Sequence, residues 1–277
     1  MRLGGPVWTK GNDPAAWVAA HAAAGYSAAF VPGDTWEQAR PFVEAARATG
    51  GRLLLAEVGA WSNPISPDDK VRREALELCS RRLALADEAG ASCCVNIAGT
   101  RGTQWDGPHP ENLTADTFDL IVATVRHIID AVRPTRTHYA LETMPWVFPD
   151  SADSYLALVK AIDRPRFAVH LDPVNLINCP QRYFDNASLV RACFAKLGPW
   201  IKSCHAKDIT LSGKLTVHLD EARPGLGALD YRVFLTEAAK LSRDLPVMLE
   251  HLSSPELYAE AARHVRAVAA EAGVELV

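Results

Sequence analysis

The sequence lacks the cysteine spacing of a metal clip or a disulfide framework. Its six cysteines are scattered and include no CxxC pair, so we expect reduced, mostly buried thiols. It also lacks an uninterrupted apolar stretch of membrane-spanning length. The first residues, MRLGGPVW, enter a strand-like segment without the basic and then apolar run of a signal peptide. We therefore expect a cytoplasmic protein with no membrane partner.

Positive charge is not in excess. The chain of 277 residues has 29 Lys and Arg against 33 Asp and Glu, a formal net charge of −4. This balance offers no general attraction to a polyanion, which argues against nucleic acid as a partner. Linkers, low-complexity tracts and charge blocks are also missing, so we expect one domain over residues 1–277.

Short apolar runs alternate along the whole chain with segments whose apolar residues recur at helical spacing. The predicted strands are Arg2–Val7, Ser27–Val31, Arg52–Val58, Cys93–Ala98, His138–Thr143, Phe167–Asp172, Ile201–Ala206 and Pro246–Glu250. The predicted helices are Asp13–Ala24, Thr35–Thr49, Pro67–Ala89, Thr114–Val132, Ser151–Ile162, Asn186–Leu197, Tyr231–Leu241 and Pro255–Ala272. Strict alternation of strands and helices favours an α/β fold of the (β/α)8 TIM barrel type, with a doubly wound open sheet as the competing topology.

Four consecutive predicted strands end on groups that bind metals. The fifth strand runs into Glu142, the sixth into Asp172, the seventh into His205 and the eighth into Glu250. Equivalent heights on neighbouring parallel strands lie about 5 Å apart, so the four groups can converge above a barrel core. A single carboxylate at a strand end is more often a helix cap or a loop anchor, but four metal-binding groups in register favour a shared metal site over coincidence.

Three carboxylates and one imidazole form an oxygen-rich ligand set. Such a set suits Mn²⁺, Mg²⁺ or Co²⁺ better than a structural Zn²⁺ site, which favours thiolates. We expect one divalent metal bound by Glu142, Asp172, His205 and Glu250, with Mn²⁺ as the first choice and Mg²⁺, Co²⁺ or Zn²⁺ as alternatives.

These residues, with HAKD around His205 and the stretch PGLGALDY over 224–231, resemble the sugar phosphate isomerase/epimerase family of xylose-isomerase-like TIM barrels. The resemblance covers essentially the whole chain and is most specific in its second half. It implies a sugar or keto-sugar substrate that chelates the metal. It also implies that Glu142 and Glu250 are the catalytic acid and base, on opposite faces of the reacting carbon. One removes the proton α to the carbonyl, and the other returns a proton to the enediolate.

Six further polar residues are predicted to bind substrate at the same rim. Glu57 ends the third strand, where the alternative is a carboxylate paired inside the barrel. Asn175 stands where many family members have a histidine, and an amide does not titrate near neutral pH. The resemblance favours an arginine before the PG turn, while Lys207 has the alternative of a pair with Asp208 that orients His205. The six residues are Glu57, Asn96, His109, Asn175, Lys207 and Arg223.

Four functions compete. A metal-dependent isomerase or epimerase is the first hypothesis. A dehydratase or lyase that eliminates a β-oxygen from a keto-sugar, inosose or 3-keto glycoside would use the same site, and the replacement of the family histidine by Asn175 supports it. A zinc endonuclease needs more histidine ligands and a basic rim, which nine histidines and the net charge disfavour. The fourth is a non-catalytic barrel. The resemblance also makes a homodimer or homotetramer an expectation.

Overall fold

The computed structural model of the protein describes all of residues 1–277. Its barrel strands are β1 (Arg2–Gly4), β2 (Ala28–Phe30), β3 (Leu54–Gly59), β4 (Cys93–Asn96), β5 (Tyr139–Glu142), β6 (Phe167–Leu171), β7 (Ile201–Ala206) and β10 (Pro246–Leu249). These eight parallel strands close into a barrel in the order β1-β10-β7-β6-β5-β4-β3-β2, which excludes the open-sheet alternative.

Helices follow the strands around the outside, each within a residue or two of the predicted bounds at most ends. They are α1 (Pro14–Ala24), α2 (Trp36–Ala48), α3 (Asp69–Ala89), α4 (Ala115–Val132), α5 (Ala152–Ile162), α6 (Pro180–Phe184), α7 (Asn186–Leu197), α8 (Tyr231–Ala239) and α9 (Pro255–Glu271). Side chains of Asp13, Asp68 and Ser254 cap the first turns of α1, α3 and α9. None of these helices is both long enough and apolar enough to cross a membrane.

Alternation along β5, β6 and β7 sorts side chains between two layers. Leu141, Leu171 and Cys204 belong to the main core between strands and helices. Small residues such as Ala140 and Ala168 form a separate buried cluster with residues of β4. In the same alternation, the polar residues at the ends of these strands point into the barrel and toward its carboxyl-terminal opening.

The sequence-based predictions miss the short helix α6 and an antiparallel hairpin. The stretch after β7 shows no clear periodicity in the sequence, yet it contains an antiparallel hairpin of β8 (Asp208–Leu211) and β9 (Leu219–Ala222). Its strands are too short for their alternation to stand out, and Ile209 is the one well-buried anchor among its apolar residues. The hairpin therefore stands on the face of the barrel where the strand ends converge.

Asp208 ties this hairpin to the PGLGAL stretch that follows it. Its carboxylate accepts hydrogen bonds from the backbone N–H groups of Gly225, Gly227 and Leu229, at 2.9, 3.0 and 2.9 Å. It does not contact His205, so the predicted Lys207–Asp208 pair that orients that histidine is wrong. Gly227 passes so close that an added Cβ would lie 2.3 Å from Asp208 Oδ1 and 2.4 Å from the carbonyl oxygen of Ile209.

Gly227→Ala should therefore destabilise the protein by about 1–3 kcal/mol, because the Ile209 backbone cannot yield to the new methyl group. Gly213→Ala is the matched control in the hairpin turn, since nothing lies within 4 Å of its added Cβ. Urea denaturation of both variants measures the difference. Equal stability of the two variants would contradict this account of the PGLGAL stretch.

Candidate active site

Four strand ends bring their metal-binding groups together as the sequence predicts. Ligand atoms of Glu142, Asp172, His205 and Glu250 all lie within 4.8 Å of one another. His205 Nδ1 lies 2.8 Å from Glu250 Oε1 and 3.2 Å from Glu142 Oε1. Asn175 also reaches this group, and its Nδ2 donates to Glu142 Oε1 at 3.1 Å and to the carbonyl oxygen of Thr143 at 3.1 Å.

Lys207 places an ammonium group among the same carboxylates. Its Nζ lies 2.9 Å from Asp172 Oδ2, 2.7 Å from Glu250 Oε1 and 3.6 Å from Glu142 Oε1. The side chain is 3% exposed, so these contacts are made away from solvent. Glu221 Oε2 lies 3.6 Å away as well, so one ammonium faces four carboxylates, and negative charge is in excess at the floor of the site.

The pKa directions follow from this excess. Burial, with the negative charges of Glu142 and Glu250, raises the pKa of Asp172 to about 6 although Lys207 opposes the shift. Burial disfavours the charged form of His205, but Glu250, Glu142 and Glu57 outweigh it and hold that pKa well above its usual range. Because the pKa of Asp172 is raised in the folded protein, its ionisation lowers the free energy of unfolding as the pH rises from about 4 to 6. Burial also opposes ionisation of Glu142 and Glu250, but His205 and Lys207 outweigh it and hold both pKa values below the usual range.

A divalent cation fits this donor set. Asp172 Oδ2 and Glu250 Oε1 are buried and accept no well-directed hydrogen bond, despite the nearby ammonium. Carboxylate oxygens with one imidazole are suitable ligands for Mn²⁺ or Mg²⁺, and a bound ion would satisfy both orphaned oxygens.

A cavity of about 600 Å³ opens directly above the cluster. Glu142, Glu250, Asn175 and Lys207 line it, as the sequence predicts for residues at the rim. Aromatic and other apolar side chains line another part of its wall. They are Phe30, Trp61, Ile97, Trp105, Met144, Pro145 and Trp146.

Two polar residues of the wall were not found from the sequence. Glu221 on β9 and His251 after β10 line the cavity, and His251 Nδ1 lies 3.1 Å from Glu221 Oε2. His251 adopts a left-handed backbone conformation with φ of 57°, which is uncommon for a residue other than glycine. The Glu-His pair that ends the last strand was a signal for His251, but nothing in the sequence pointed to Glu221.

The comparison with known families settles the relationship. The family model described as the xylose isomerase-like TIM barrel matches residues 18–268. The chain belongs to this family. A search of curated proteins found no match.

Solved structures share the fold of this barrel family at low identity. Endonuclease IV from Thermus thermophilus has a TM-score of 0.72 and 17% identity, over 98% of this chain and 100% of that one. D-psicose 3-epimerase with D-tagatose, from Clostridium cellulolyticum, has a TM-score of 0.69 and 14% identity, over 99% of this chain and 100% of that one. A xylose isomerase-like TIM barrel protein from Mycobacterium smegmatis in complex with magnesium has a TM-score of 0.66 and 17% identity, over 94% of this chain and 90% of that one. At this identity they show the fold alone.

Glu57 was predicted to bind substrate, but the structure places it beneath the cavity. Its side chain is fully buried, and it contacts His170 and His205 rather than open space. The alternative interpretation, a carboxylate paired inside the barrel, is confirmed. His170, two residues before Asp172, is likewise the buried partner of a neighbour.

Three other predicted substrate contacts lie outside the cavity. Asn96 points to the helical layer, where its Nδ2 donates to Cys79 Sγ on α3 at 3.3 Å. His109 caps a short 3-10 helix through Nδ1, 3.3 Å from the N–H of Glu111. Arg223 points to α9, where its Nη2 pairs with Glu260 at 3.3 Å.

Lys207→Met should destabilise the protein by about 3–5 kcal/mol in chelator, since three buried carboxylates then lose their one ammonium. Added Mn²⁺ should raise the melting temperature of this variant more than that of wild type. Lys196→Met removes a more exposed ion pair with Asp153 and serves as the control. A Lys207 variant as stable as wild type in chelator would show that the ammonium does not neutralise the site.

Proposed function

We propose that the protein is a divalent-metal-dependent sugar isomerase or epimerase, with Glu142 and Glu250 as acid and base. The observation that carries the proposal is the convergence of four metal-binding groups within 4.8 Å at the floor of a cavity of about 600 Å³. Both glutamates line that cavity, so both can reach a bound molecule.

The residues of the site divide the work. Glu142, Asp172, His205 and Glu250 would hold the ion. A bound divalent ion supplies positive charge beside an oxygen that becomes anionic. Glu142 or Glu250, as a carboxylate, takes the proton from the carbon next to the carbonyl, and the electron pair moves to the carbonyl oxygen to give an enediolate.

Return of a proton decides the product. Delivery to the same carbon from the opposite face, by the other glutamate in its protonated form, gives an epimer, and delivery to the neighbouring carbon gives an isomer. The hydrogen bond from Asn175 holds Glu142 in place. Because an amide does not titrate near neutral pH, Asn175 positions this glutamate and does not itself transfer a proton.

The wall of the cavity supports a sugar. Trp61, Trp105 and Trp146 come from three different loops and are each about two-fifths exposed, so their rings are free to meet the C–H face of a sugar. Trp146 Nε1 donates to the carbonyl oxygen of Asp106 at 2.8 Å, which joins two of these loops. Lys207, Glu221 and His251 offer groups for hydroxyls.

Two proteins of the same fold support the proposal. One is the epimerase with D-tagatose, and the other is the barrel protein in complex with magnesium. For this chain we propose Mn²⁺ as the metal and the cytoplasm as the location. A homodimer or homotetramer stays a prediction.

Solvent exchange tests the proposal without knowledge of the substrate. In deuterated water with Mn²⁺, we expect deuterium to enter one or more members of a panel of ketoses, aldoses and inososes at the carbon next to the carbonyl, detected by mass spectrometry. An ultraviolet-absorbing enone would instead identify elimination. Exchange that persists unchanged in chelator would contradict a metal-dependent enzyme.

Glu142→Gln and Glu250→Gln should each lower this exchange by about 10²–10⁴-fold, because an amide cannot accept the proton. Circular dichroism should show the fold unchanged. Glu111→Gln is the matched control, because it makes the same replacement of a carboxylate by an amide on an exposed side chain outside the cavity. Near-normal activity of either glutamate variant would remove the two-glutamate mechanism.

A further inference from the structure

A second polar group lies beneath the floor of the cavity. Glu57 on β3, His170 on β6, and Ser203 and His205 on β7 are all fully buried. In the barrel order β3 lies across from β7, so Glu57 spans the interior to reach its partners. Of the four, only His205 belongs to the proposed metal set, and none lines the cavity. The proposed mechanism uses none of the other three.

Glu57 is the acceptor at the centre of this group. Its Oε1 lies 3.0 Å from His170 Nε2, and its Oε2 lies 3.3 Å from His205 Nε2. The hydroxyl of Ser203 donates to Oε1 as well. His170 and Ser203 thus both face Oε1, and His205 faces Oε2. A carboxylate oxygen accepts hydrogen bonds, so each histidine presents an N–H at Nε2.

This arrangement decides which nitrogen of His205 faces the metal set. With the Nε2 proton held by Glu57, the remaining nitrogen is Nδ1, which lies 2.8 Å from Glu250 and 3.2 Å from Glu142. The ring of His170 packs edge-on against that of His205, with centroids 4.1 Å apart and planes at 76°. The ring of His205 is thus held from below and from the side.

We propose that Glu57 is a positioning residue, which fixes the tautomer and ring plane of His205 so that Nδ1 is presented to a divalent ion. His170 and Ser203 hold the Glu57 carboxylate in place for this task. The inference rests on the metal site of the proposed function. A hydrogen bond from a ligating histidine to a carboxylate both orients the ring and makes its other nitrogen more basic.

A second metal ion at Glu57, His170 and His205 is the competing interpretation. Ligand atoms of these three residues also lie within 4.8 Å of one another. His205 belongs to both sets, however, so two ions would require it to lose both ring protons. The second set is also closed to solvent on all three side chains. The geometry therefore favours one ion per chain.

Glu57→Gln tests the inference through metal affinity. The amide has one acceptor oxygen, so it cannot accept from both imidazoles, and its NH₂ group would face an N–H. We expect the Kd for Mn²⁺ to rise by about 10–100-fold, measured by the electron paramagnetic resonance signal of free Mn²⁺. Asn112→Ala is the matched control, a buried polar residue that bonds only to its own loop region. It should lose stability without a change in Kd.

The tautomer itself is measured on wild type, so the test does not depend on the folding of a variant. Long-range ¹H–¹⁵N spectra of the Mg²⁺-loaded protein should show a protonated Nε2 and an unprotonated Nδ1 on His205. Protonation at Nδ1, or a Kd of Glu57→Gln within twofold of wild type, would overturn the inference alone. Wild type that binds no divalent ion would overturn the proposed function together with it. Two ions per chain would support the competing interpretation.

Discussion

Buried negative charge is the constraint on which the rest of this site depends. Glu142, Asp172 and Glu250 lie together away from water, where ionised carboxylates repel one another and lose their hydration. Lys207 and His205 supply part of the compensation, and two carboxylate oxygens are left without well-directed donors. A protein would maintain so costly an arrangement for a ligand that needs it. A divalent cation fits that need, which is the physical basis of the proposed metal-dependent function.

The polar groups inside the barrel lie in two layers of different depth. Charged groups that line the cavity stand at the ends of β5, β7 and β10, while Glu57, His170 and Ser203 lie one layer lower. Small alanines in the interior leave room for these polar side chains. The loops above then add aromatic rings and the hairpin that carries Glu221. A rigid scaffold thus holds the reactive groups, and the loops set what can approach them.

Most of the fold was predictable because its signals are local. Alternation and helical spacing are properties of short windows, and they placed all eight barrel strands and their helices. The metal set was predictable because parallel strands in one barrel share a direction, so equal positions on consecutive strands meet. The predicted substrate contacts of Asn96, His109 and Arg223 are wrong, because a residue near a strand end faces the cavity only if its backbone turns the side chain inward. That turn depends on packing with α3, a short 3-10 helix and α9.

The sequence by itself determined the alternation of strands and helices, favoured the barrel over an open sheet, and predicted the four converging groups Glu142, Asp172, His205 and Glu250. Only the tertiary structure decided that Glu57 contacts His205 from below, that Lys207 lies among four carboxylates and that His251 meets Glu221 at the rim. The reason is physical. Periodicity along the chain reports which face of an element is buried, whereas contacts across the barrel join residues as far apart as 57 and 205, and closure of the sheet alone brings them together.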